Sequence, residues 1–98
     1  MASISKTEWK RIQDRLLREL RGKARHEQDR LIASEIRKLL QREGFDPQHV
    51  ALGELLCAEF AEEHDAKGCA KWFAQLGMSV LDIQPADEDI GHTVRIKF

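Results

Sequence analysis

The chain has 98 residues, sixteen Lys and Arg against seventeen Asp and Glu, four His, two Cys and a hydrophobic fraction of 42%. This is the length of one domain, too apolar for a disordered tail, and no uncharged apolar run approaches the roughly 20 residues with which a helix spans a bilayer, so a soluble, folded chain is expected. The net charge of −1 conceals a division, since residues 1–43 carry a net +5 and residues 44–98 a net −6, which points first to attraction between halves or between copies and only second to nucleic acid.

In chain order, Ser5-Lys6-Thr7-Glu8 matches a capping box, with Ile4 and Trp9 at the positions of a hydrophobic staple. A helical region is therefore predicted over residues 5–43. Taken at about 100° per residue, Trp9, Ile12, Leu16 and Leu20 share one stripe, whereas Leu31, Ile32, Ile36, Leu39 and Leu40 point roughly 140° away. Between them lies Arg21 to Arg30, with no large apolar residue and carrying Gly22, so a kink, a break or an exposed span is expected near that glycine, and one helix or two over 5–43 is left open. Gly44-Phe45-Asp46-Pro47 then reads as a stop followed by a start: a C′ glycine, an Asp cap and a proline at the first helical position.

A second helical region is predicted over residues 47–76, with Leu52, Leu55, Leu56 and Phe60 on one stripe, Cys69, Trp72, Phe73 and Leu76 on another, and a break near Asp65 and Gly68. After Gly77 the period changes. Met78 to Ile83 is β-prone, Gln84 to Gly91 is an acidic connection, and residues 93–98 alternate strictly, with Val94, Ile96 and Phe98 on one face. The expected fold is a single α+β domain over residues 1–98, mainly helical: antiparallel helices followed by a two-stranded β-hairpin over 79–98.

Signals of chemistry are sparse. Cys57, His64 and Cys69, with Asp65, have donor types that suit zinc, but lack any paired C-x2-C or H-x3-H unit, so no metal site is assigned. Cys57 with His64 has no nucleophile elbow beside it, and Glu62-Glu63-His64-Asp65 reads as a solvated helix end because consecutive helical residues diverge by about 100°. No phosphate-binding glycine motif is present. No catalytic residue and no cofactor is expected, and the chain is read as a non-enzyme.

Arg11, Arg15, Arg18 and Arg25 share a face opposite the first apolar stripe, provided the helix runs on through Gly22, and form a candidate ladder for phosphates. Local partners weaken it, since Glu8 with Arg11, Asp14 with Arg18 and Glu19 with Lys23 stand at ion-pairing spacing. Helices near 28–43, 47–63 and 66–76 followed by a hairpin are similar to a winged-helix domain in element order alone, which supports no family assignment. The functional expectation is a small non-enzymatic protein-interaction module acting as adaptor, inhibitor or regulator. It is expected to form a homodimer and to engage another protein, with Trp9, Ile12, Leu16, Leu20, Val94, Ile96 and Phe98 at the interface. The alternative is a nucleic-acid-binding regulator of winged-helix-like topology using the basic first helix, and a metal- or thiol-dependent enzyme is a remote third. A cytoplasmic setting is expected, because Met1 to Trp9 lack a basic stretch followed by an apolar one and two cysteines are too few for a disulfide framework.

Overall fold

The structure, a computed structural model, describes residues 4–85 and 91–98. Its elements run α1 (Lys6–Glu19), α2 (Arg25–Arg42), β1 (His49–Leu52), β2 (Leu56–Phe60), α3 (Glu63–Gln75), β3 (Ser79–Pro85) and β4 (His92–Lys97). The four strands form one antiparallel sheet in the order β1-β2-β4-β3. This corrects the expected mainly helical fold with a lone terminal hairpin. Residues 47–60 are not helical, and β3 and β4 are half of a larger sheet. No described helix is long and apolar enough to cross a membrane.

Local chemistry accounts for the helix ends. The Glu8 amide donates to Ser5 Oγ at 3.2 Å at the start of α1. Between Glu19 and Arg25 the chain turns through Gly22, whose φ of +92° lies in the left-handed region that favours glycine. The Gln28 side chain holds this link by donating to the carbonyls of Leu20 and Lys23 at 3.1 and 2.8 Å. α2 ends in a Schellman motif, in which the Phe45 amide donates to Leu40 O and the Gly44 amide to Gln41 O.

The extended path after Pro47 has a physical reason that the helical reading missed. A φ near −65° suits an extended segment as well as a first helical turn. Leu56, Ala58 and Phe60 also alternate at period two, and all three are fully buried while Cys57 and Glu59 between them are not. Gly53 to Leu55 makes the turn, with the Gly53 amide donating to Leu55 O at 3.1 Å. The expected break at Asp65 and Gly68 is absent too, because α3 runs straight through both. A Cβ at Gly68 would lie 3.1 Å from Phe45 Cε1, so this glycine lets an aromatic ring close on the helix.

The molecule has two layers. Val50, Leu52, Leu56, Ala58, Phe60, Val94 and Ile96 turn one face of the sheet toward the helices and share a core with Ile36, Leu40, Cys69 and Phe73. α3 lies over β2, β4 and β3, while α2 lies against β1. Trp9 brings α1 onto this assembly, its ring within 6.1–6.4 Å of those of Trp72, Phe73 and Phe98, all edge-on. The connection predicted over Gln84 to Gly91, with Asp87-Glu88-Asp89, falls mostly outside the described residues.

Candidate functional site

β1 is an edge strand, paired with β2 on one side only, and alternate residues of such a strand direct their N–H and C=O groups away from the sheet. The opposite edge, β3, is blunted. Its register slips between Val80 and Asp82, leaving Leu81 as a bulge, and Pro85 removes a donor. β1 pairs in regular register over all four of its residues, with no bulge and no proline.

Beside β1 runs a groove of about 470 Å³, walled by α2 and by His49 to Leu52. The α2 wall is one face of the helix, with His26, Arg30, Ala33, Ser34 and Arg37 recurring at helical spacing. Ala33 is buried, Val50, Ala51 and Leu52 are half-buried, and His26, Arg30, Ser34, Arg37 and His49 are exposed. The acid in the lining, Asp29, faces Arg25 at 3.6 Å. Arg30 and Arg37 have no carboxylate within 4.0 Å among the described residues, so the groove combines a small apolar floor, an edge of backbone polar groups and two unpaired guanidiniums.

The face of the sheet away from the helices is polar. Ala51, Cys57, Arg95 and Asp82 stand in register across it, followed by His49, Glu59, Thr93 and Gln84. Arg95 Nε donates to Asp82 Oδ1 at 2.6 Å and its Nη2 to Oδ2, a two-pronged pair that holds the Asp82 carboxyl below its ordinary range and raises the Arg95 guanidinium. The pair sets the Asp82 carboxylate directly against the Arg95 charge.

The residues proposed for metal or thiol chemistry are dispersed. Cys57 is half-buried on the polar sheet face, His64 is exposed in the first turn of α3, and Cys69 is fully buried in the core, where burial pushes its thiol up to about 12. Burial keeps this thiol neutral and shields it from solvent, so it is no ready nucleophile. Among the described residues no three His, Cys, Asp or Glu side chains gather in a metal-binding group.

Of the residues expected at an interface, Trp9, Leu16, Leu20, Val94 and Ile96 are buried inside the chain's own core, and Ile12 and Phe98 are half-buried against it. The turn at Gly22 lets α1 and α2 each face the core, which accounts for two apolar stripes that do not share a direction. Arg11, Arg15, Arg18 and Arg25 are exposed, but the same turn puts Arg25 on a different helix and interrupts the ladder. Arg15 lies 4.0 Å from Glu19 and Arg25 pairs with Asp29, whereas Arg11 and Arg18 have no ion partner among the described residues. The groove residues escaped the sequence reading because His26, Arg30 and Arg37 share a helix face of no evident purpose until residues 49–52 are known to be a strand beside it. Comparison of the chain with protein-family models, with curated proteins and with solved structures finds no match.

Proposed function

We propose that the chain is a small non-enzymatic protein-interaction module, an adaptor or regulator, that takes an extended segment of a partner protein as an added strand on β1. The observation that carries this is an unblunted edge strand with a groove alongside it, floored by Val50 and Leu52 and walled by α2. Strand addition obtains affinity from main-chain hydrogen bonds and selectivity from whatever lines the groove, so it needs no deep cavity and no catalytic group. A cytoplasmic setting, favoured by two unpaired thiols, accompanies this reading.

A nucleic-acid partner is a second reading, supported by the exposed and unpaired Arg11 and Arg18. It is weaker because the basic ladder is broken at Gly22 and the polar sheet face carries no Phe or Trp on which bases could stack. Selecting binders from a random heptapeptide library and mapping them by amide chemical-shift changes tests the first reading. Selected peptides are expected to shift the amides of residues 49–52 and of α2 residues 26–37. A library yielding no binder, or binders that map elsewhere, overturns it.

A further inference from the structure

Strand addition by itself is indifferent to sequence, and the side chains around the β1 groove are not. Resting on the proposed strand-addition reading, we infer that the segment this groove selects is acidic, with two carboxylates on the same face of the added strand, one for Arg30 and one for Arg37.

The argument is one of charge and spacing. Arg30 and Arg37 are exposed, line the groove and have no carboxylate within 4.0 Å among the described residues. Asp29 is already engaged by Arg25, so the lining offers an incoming chain two uncommitted guanidiniums and the imidazoles of His26 and His49, with no uncommitted acid. The two arginines stand seven helical steps apart, roughly 10 Å along the axis. In an extended strand, residues i and i+2 lie on one face about 7 Å apart, a difference that two long side chains absorb. A carboxylate at each position accepts from guanidinium N–H groups in two-pronged geometry, which a lysine-rich segment cannot do and would oppose. The residue between the carboxylates points to the other face of the sheet, the side of His49 and Ala51, away from the α2 wall, while the carboxylates share the helix side with Val50 and Leu52. The occupant is thus an extended acid-x-acid segment of another protein.

The test uses the full chain and defined fluorescent heptapeptides: one with Glu-Val-Glu at its centre, one with Gln-Val-Gln, one with Lys-Val-Lys, and the first with N-methylated backbone amides. The Glu peptide is expected to bind at least tenfold more tightly than the Gln peptide and to weaken as salt rises, and the Lys peptide is expected not to bind. In the double variant Arg30→Glu with Arg37→Glu, whose changes are at exposed positions, the preference should reverse to the Lys peptide. Equal binding of the Glu and Gln peptides, both abolished by N-methylation, overturns the acidic preference while leaving strand addition intact. Binding of the N-methylated peptide as tightly as its parent overturns strand addition itself. A random single-stranded oligonucleotide that binds more tightly than the Glu peptide, and loses that binding in the double variant, overturns the assignment to protein in favour of nucleic acid.

Discussion

Asp82 and Arg95 show what a single pair contributes on the open face of this sheet. They lie opposite one another on β3 and β4 next to the bulge at Leu81. Hydrogen bonding to Arg95 holds the Asp82 carboxyl below its ordinary range, so on acidification the unfolded chain takes up this proton before the folded one does. The stabilisation is therefore fully present above the unfolded value of about 3.9 and is lost as pH falls through the lower folded value. Asp82→Asn should flatten the acid limb of stability. Measured by urea denaturation, the difference between neutral pH and pH 3 should be smaller in the variant than in the parent, though not abolished, since Glu63 is shifted in the same direction by Lys67. An unchanged difference would mean that the pair contributes nothing, as many exposed pairs do.

Among the elements, β4 carries a large structural burden although it lies nearest the end of the sequence. It is a central strand, paired to β2 on one side and β3 on the other, and its Val94 and Ile96 are fully buried. Burying each contributes about 1.5–3 kcal/mol, and removing the strand would also orphan both neighbouring ladders, against the roughly 5–15 kcal/mol that holds a small domain together. Deleting residues 92–98 should thus abolish the cooperative thermal transition seen by circular dichroism, and a truncated chain that melts as the parent does would contradict the central placement of β4. The alternation of residues 93–98 was legible in the sequence, as were the Ser5 cap and the stop at Gly44, because each is a pattern of neighbouring residues. β1 and β2 were not. Leu52, Leu55, Leu56 and Phe60 satisfy a helical period, Leu56, Ala58 and Phe60 satisfy a period of two, and Ala58 is too small to advertise itself as a core position.

For the whole molecule, the apolar stripes that suggested a dimer are absorbed internally. Leu16 is 5% exposed and Leu20 8%, so neither is available to a second chain. Sedimentation equilibrium is expected to find a species near 11.3 kDa that does not change with concentration. A concentration-dependent dimer would overturn this and place its contact outside the buried Leu16 and Leu20. Leu16→Asp, which puts a charge into the core, should lower the melting temperature by an amount equivalent to several kcal/mol without altering the molecular mass.

The sequence by itself determined where α1 begins and where α2 stops, and that the last strand has one apolar face, because caps, glycine turns and alternation act over a few bonds. It also contained the basic face of α2 that lines the groove. Only the tertiary structure decided the state of residues 47–60, where two periodicities compete and burial beneath α2 and α3 selects the extended one. The tertiary structure likewise decided that Gly68 serves packing and not a break, since the ring that closes on it comes from Phe45. The candidate site arises from the same cause. Arg30 and Arg37 become the wall of a groove only when residues 49–52 lie beside them as an edge strand, and that neighbourhood is set by packing between segments, which no local pattern records.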